Sequence, residues 1–226
     1  MFGVLFSLIA AAGYGVGDYF GALASRKLHP VAVSVVGHLA STLVTLVSLA
    51  FIPSLWSAEG NVSGAIAGAC EAVGFLVFYY VLAVGPVSIV APLVSVIYAI
   101  VPVIWAVATG EELSPLGAGG VGLGLVAVLL LTVAPKGGAE SADELAAAAK
   151  AGRKSGLNAG MVMLAAIGGI TWGFATVALD YAPSSSGSSP AVIGAITALA
   201  VVLVPFAVAR KRFSAGFSAT SIRNSA

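Results

Sequence analysis

The sequence predicts an all-α membrane protein: a polytopic helical bundle of about seven transmembrane helices, arranged as an inverted five-helix repeat with an incomplete second copy. Three observations predict this class. The 226 residues are 59% hydrophobic and only 8% charged, with a mean hydropathy of +1.07, whereas a soluble domain carries roughly 25% charged residues. Apolar runs of about twenty residues recur between charged or Pro/Gly breaks, and each is long enough to cross the hydrocarbon core as a helix. Finally, a late run repeats the pattern of the first one.

The helices follow in order. Residues 3–24 form the first, with Gly13, Gly17 and Gly21 four apart on one face, a stripe suited to close helix packing, and Arg26 and Lys27 at its end. The second covers about 31–52, between Pro30 and Pro53. A polar loop around Glu59 and Asn61 leads to the third, about 62–84. The fourth lies in GPVSIVAPLVSVIYAIVPVIWAVATGEELSP, residues 85–115, and the rest of the chain is arranged around it. Its internal Pro92 and Pro102 each remove a backbone donor and bend or break a helix. In lipid the freed carbonyls need neighbours, so this helix belongs inside a bundle. Ser114 as cap and Pro115 at the first helical position open the fifth helix, about 115–134.

Composition then changes. Residues 135–156 hold three acids and four bases and read as a solvated linker, with a capping box at Ser141 and Glu144. The sixth helix runs about 157–181, PSSSGSSP breaks it from the seventh, about 190–209, and a polar tail fills 210–226. The domain organisation is therefore 1–134 as a first five-helix unit, 135–156 as linker, and 157–209 as the first two helices of a second unit. Residues 8–24 align with residues 164–180, which pairs Leu8 with Leu164 and Gly17 with Gly173. Pro30 and Pro190 then open the next helix in each half. An odd number of helices per unit inverts the second copy, the arrangement of many secondary transporters. All ten Lys and Arg follow the first, fifth and seventh helices, which makes that side cytoplasmic and puts the N-terminus outside.

Composition also excludes several classes. A net charge of +1 argues against a nucleic-acid partner. The single Cys70 cannot form an intramolecular disulfide, and the first apolar run lacks the basic flank of a cleavable signal. There is no metal-ligand spacing, no nucleophile–base pair and no cofactor signature; the glycines at 119–124 sit inside an apolar span and serve packing.

Tyr79-Tyr80-Val81-Leu82-Ala83-Val84-Gly85-Pro86, Ala91-Pro92-Leu93, Gly110-Glu111 and Leu113-Ser114-Pro115, with Gly17-Asp18-Tyr19-Phe20 running to Ser25-Arg26-Lys27, resemble the EamA-type transporters of the drug/metabolite transporter superfamily. The resemblance covers the first five helices. It implies a multi-pass protein of the plasma membrane that moves a small metabolite or drug-like solute by alternating access, not an enzyme; the Ala/Val/Gly-rich usage points to a bacterial source. The family is similar in having two inverted five-helix repeats around a central cavity. This chain departs in showing only two helices of the second copy. The alternative is a truncated, non-transporting protein, or a subunit whose bundle is completed by a homodimer or by a partner supplying the missing helices.

The substrate or ion pathway candidates are Glu71, His38, Asp18, Tyr79, Tyr98, Trp105 and Trp172, with Pro92 and Pro102 as hinges. Glu71 is mid-span, where an ionisable group is expensive and marks a cavity or a proton path; the competing reading is a protonated Glu bonded to a neighbouring helix. His38 is expected either to pair with Glu71 or to bond a backbone carbonyl. Asp18 and Asp180 read as caps or as ion-pair partners of Arg26 or Lys27, with a substrate role as the alternative. Tyr79, Tyr80, Tyr98, Trp105 and Trp172 line an aromatic cavity or form interfacial belts. Glu111 and Glu112 close the fourth helix in a solvated turn.

Overall fold

In hydrocarbon, backbone polar groups must be satisfied within their own segment or by a neighbour, and uninterrupted helices meet that demand. The computed structural model describes residues 2–85, 87–111, 114–133 and 159–208, and every regular element among them is helical. In chain order these are α1 (Phe2–Lys27), α2 (Pro30–Ser48), α3 (Ala58–Val84), α4 (Val87–Ala108), α5 (Pro115–Val133), α6 (Ala159–Asp180) and α7 (Ser189–Val208), with a 3-10 turn at Ser184–Ser186. The linker at 135–156, with Ser141 and Glu144, the tail at 210–226 and Glu112 lie outside the described residues. Helices α2, α3, α4, α6 and α7 are long and apolar enough to cross a bilayer. The other two, of 26 and 19 residues, reach about 39 and 28 Å at 1.5 Å per residue.

Local chemistry sets the helix ends. Pro30 begins α2, and the His29 side chain caps it by accepting from the Val31 amide at 3.3 Å. Ser57 caps α3 through the Gly60 amide at 3.0 Å, which places Glu59 in the first turn of α3 rather than in the expected loop. A carboxylate there faces the positive end of the helix dipole. Ser114 caps α5 as anticipated, accepting from the Gly117 amide at 3.1 Å. Helix α4 runs unbroken through Pro92 and Pro102, so the prolines remove donors without ending the helix.

Lipid offers no hydrophobic drive between helices, so close packing of small residues has to hold the bundle. Helix α3 is the hub: it packs most extensively on α6 and α7 and also touches α1, α2 and α4, while α4 lies along α6 and α5 along α4. The backbones of α3 and α7 meet directly, Gly64 against Pro190 and Gly68 against Gly194. On α6, Gly169 receives Val94 and Ile97 of α4, and Gly173 receives Val101. The expected packing stripe of α1 is used only in part. Gly21 meets the Tyr79 ring, but Gly13 and Gly17 have nothing within 4 Å, because no described helix lies on that side.

The two aligned stretches run in opposite directions. Helices α1 and α3 finish at the same end, where Gly21 meets Tyr79, whereas α6 begins there, with Met161 beside Gly85, and meets Gly74 through Trp172. Helix α2 lies antiparallel to α7: Thr42 Oγ1 donates to the Ala195 carbonyl at 3.2 Å, and Val31 shares a groove with Pro205. Counted from Pro30 and Pro190, the same positions are buried in both helices, Ser34, His38 and Thr42 in α2 and Gly194, Ala198 and Val202 in α7.

A branched side chain at the α3–α7 crossing has to push two backbones apart, so Gly68→Ile should lower stability by at least about 2 kcal/mol, at the upper part of the range for overpacking. Gly120→Ile, on the open face of α5, should change it by less than about 0.5 kcal/mol. Equal unfolding midpoints for the two variants in detergent would remove this crossing as the brace of the bundle.

Candidate functional site

Depth in the bundle follows from position along each helix. Tyr14, His38, Glu71, Tyr98 and Trp172 each sit within three residues of the middle of α1, α2, α3, α4 and α6. Five helices thus bring one polar or aromatic side chain apiece to a single level. The level is a contiguous assembly. Phe75, one turn after Glu71, is surrounded by the rings of Trp172 (4.7 Å between centroids), His38 (5.0 Å) and Tyr79 (5.5 Å). Trp172 also touches Phe78 at 5.0 Å and Tyr98 at 6.5 Å. Its Nε1–H donates to the backbone carbonyl of Glu71 at 3.3 Å, and the Thr176 hydroxyl donates to Tyr98 Oη at 3.3 Å.

The charged groups fall on the α1 side of this wall. Tyr14 is within electrostatic reach of Glu71, Tyr98 and Asp18, and Tyr79 within reach of Asp18. Asp18 does not cap α1, which continues nine residues beyond it. Arg26 and Lys27 lie eight and nine positions further along the same helix, about 12 Å or more of rise away. Among the described residues neither Asp18 nor Glu71 forms an ion pair, and Arg26 and Lys27 are the only Lys or Arg.

His38 belongs to this level through Phe75, whereas the other candidates separate from it. His38 is buried, and its Nδ1–H donates to the Ser34 carbonyl at 2.8 Å; its Nε2 is buried without a partner among the described residues. Trp105 belongs to the far end of α4, donating through Nε1 to Tyr181 Oη at 3.1 Å and touching Phe174 at 6.0 Å. That end also holds a cavity of about 560 Å³ between α3 and α6, lined in part by Glu59, Ser63 and Tyr181, and Asp180 closes α6 there. Tyr80 borders an apolar groove of about 360 Å³ at the opposite end. Glu111 is exposed just beyond α4. Pro92 and Pro102 are half-buried and flank the α4 segment that packs on α6. Cys70 is a free, half-buried thiol.

Sequence reading missed Tyr14, Phe75 and Thr176. The signal was present as one-turn spacing: Tyr14 precedes Asp18 by four residues, Phe75 follows Glu71 by four, and Thr176 follows Trp172 by four, so each shares a helix face with a residue already singled out.

The arrangement sets the carboxylates of Asp18 and Glu71, without an ion-pair partner among the described residues, beside a cluster of aromatic rings. A model of the EamA-like transporter family matches residues 1–133, more than half of the chain. Searches of curated proteins and of solved structures gave no match.

Replacing His38 by Leu removes a buried orphan nitrogen while keeping volume. Stability should therefore hold within about 1 kcal/mol or rise, measured as the unfolding midpoint in detergent. A loss of more than about 2 kcal/mol would mean that the ring's bond and its contact with Phe75 brace α2.

Proposed function

The chain belongs to the EamA-like transporter family, and we propose that it is a secondary transporter that carries a small metabolite or drug-like solute by alternating access. The family match and the bundle of apolar helices make it a membrane protein of transporter type. The solute path runs between α1, α3, α4 and α6. Glu71 is its proton-coupling or cation-binding carboxylate, with Asp18 towards the end where α1 and α3 finish. Pro92 and Pro102 are the flex points of α4. The protein lies in the plasma membrane with its basic residues cytoplasmic. The observation that carries this reading is the position of Glu71 in the middle of α3, its carbonyl bonded by the Trp172 indole and its carboxylate without an ion-pair partner among the described residues. An intramembrane carboxylate without a basic partner is costly to keep, and transport gives it a use.

The test is solute flux in proteoliposomes under a proton gradient. Glu71→Gln should reduce flux at least about tenfold, the effect of losing roughly 1.4 kcal/mol of interaction, with the unfolding midpoint unchanged. Wild-type flux in that variant would remove Glu71 from the path.

A second reading has its own observation: the bundle works only when further helices complete it. Gly169 and Gly173 of α6 are covered by Val94, Ile97 and Val101, while Gly17, the aligned counterpart of Gly173, and Gly13 one turn earlier have nothing within 4 Å among the described residues. On this reading the protein extracted from its own membranes has a mass well above 22.3 kDa, and Gly17→Ile returns it to the single-chain mass. Recovery of the native protein at the single-chain mass alone would sink it.

A further inference from the structure

We propose that the cavity between the start of α3 and the end of α6 binds a zwitterionic phospholipid by its primary ammonium headgroup. The inference needs only that the chain sits in a membrane, and it is independent of the transport reading and of Glu71.

Depth is the first observation. The cavity of about 560 Å³ is lined by residues of the first turns of α3 and by Ala178 and Tyr181 at the end of α6. The 27 residues of α3 reach about 40 Å at 1.5 Å per residue, beyond the roughly 30 Å of a hydrocarbon core. Its first turns therefore stand at headgroup level. Trp105 donates to Tyr181 at this end, and such rings favour the membrane–water boundary.

The second observation is the chemistry of the lining. Glu59 and Ser63 are one turn apart and share a helix face. Ser63 is only 7% exposed, yet its hydroxyl makes no hydrogen bond to a described residue. Thr42, Thr45, Ser48, Ser95, Thr109 and Thr171 each return theirs to a carbonyl three or four residues earlier. Ser63 lines the cavity instead. A buried hydroxyl without a partner is costly, and a ligand in the cavity removes that cost. The Glu59 carboxylate is exposed and has no ion-pair partner among the described residues. Tyr181 Oη accepts from Trp105, which leaves its own hydrogen to donate.

These groups sort headgroups by charge and by donor count. A primary ammonium has three N–H donors, enough for the Glu59 carboxylate and the Ser63 oxygen together. The Tyr181 hydroxyl then suits the neighbouring phosphate. A trimethylammonium head has no N–H and leaves Ser63 unbonded. An anionic head meets the Glu59 charge, and no Lys or Arg lines the cavity to offset it.

The third observation commits the ligand to a lipid rather than a water-soluble amine. Val62 and Ile66 are 58% and 52% exposed, and Val73 and Tyr80 are exposed further along α3. Spacings of four, seven and seven keep the four on one helix face. An apolar strip thus leads away from the polar groups along the helix, as an acyl chain runs inward from its headgroup.

The experiment is native mass spectrometry of the full chain in detergent, titrated with dioleoyl phosphatidylethanolamine, phosphatidylcholine or phosphatidylglycerol. The first ethanolamine lipid should bind at least about tenfold tighter than either of the others, the worth of one charge-assisted hydrogen bond. Glu59→Gln should abolish that preference, and Ser63→Ala should cut it about threefold or more. Glu111→Gln, at a carboxylate exposed just beyond α4 at the same end, should leave it unchanged. Equal affinity for the three lipids, a preference that survives Glu59→Gln, or an equal loss in Glu111→Gln overturns the proposal. Should Glu59→Gln fail to fold, Ser63→Ala decides, and a wild-type preference in that variant overturns it. Glycerophosphoethanolamine carries the same head without acyl chains. Its displacing the lipid at comparable concentration would show a soluble ligand and overturn the lipid assignment. A dimer that takes up no lipid would show a second copy on this face and overturn it as well.

Discussion

The direct approach of α3 to α6 and α7 is the constraint from which the remaining architecture follows. In a solvent as apolar as leucine, helices adhere only through what they gain by touching closely and by hydrogen bonding across the contact. Gly64 and Gly68 let the α7 backbone at Pro190 and Gly194 come to contact distance, and Gly74 seats the indole of Trp172. The same indole donates to the Glu71 carbonyl. The packing that holds the bundle therefore also fixes the α3 turn that carries the mid-span carboxylate.

The opposite directions of the two aligned stretches give the bundle its asymmetry. Helix α6 is enclosed by α3 and α4, whereas α1, aligned with it, has limited contact with α3 and α2. Exposed large side chains such as Phe6, Ile9 and Tyr14 follow along α1. The glycines show the same difference most sharply, since Gly173 is covered by Val101 and Gly17 has nothing within 4 Å among the described residues. One sequence pattern thus supports two environments, and the difference lies in what stands beside it.

Much of the fold was legible because helix ends have local causes. Pro30, Ser114 with Pro115, and the serine-rich break before Pro190 place boundaries within a few residues, and the long apolar runs leave no competing class. The placement of Glu59 was misread because the cap came from Ser57, and a serine before a charged residue looks like loop until its bond to Gly60 is seen. The packing glycines were misjudged for a different reason. Spacing by four identifies a face, and a face says nothing of whether a helix lies against it; of the α1 stripe only Gly21 is in contact, and Gly64, Gly68 and Gly194 carry the closest backbone approach. In the site, Glu71, Tyr98 and Trp172 were visible as costly or bulky residues in apolar runs. Tyr14 and Phe75 were hidden, because an aromatic residue in an apolar run draws notice only once its one-turn neighbour is weighed with it.

The distribution of contacts differs between the two sides of the site. Tyr98 and Trp172 sit on α4 and α6, which are locked by Val94, Ile97 and Val101 against Gly169 and Gly173. Trp172 is in turn tied to the α3 backbone. These three helices form one wall, and separating them breaks contacts at several levels together. Helix α1 carries Tyr14 and Asp18 and is joined to that wall near Gly21 and Tyr79, with its stretch around Gly13 and Gly17 open. Among the described residues the first half of α1 shares little packing with that wall, so displacing it would disturb fewer contacts than parting α3, α4 and α6. The prolines of α4 lie at either side of the locked segment, so bending there moves the ends of α4 and leaves the ring of Tyr98 in register with Trp172. The closely packed side of the site is thus α3 with α4 and α6, and the sparsely packed side, among the described residues, is α1.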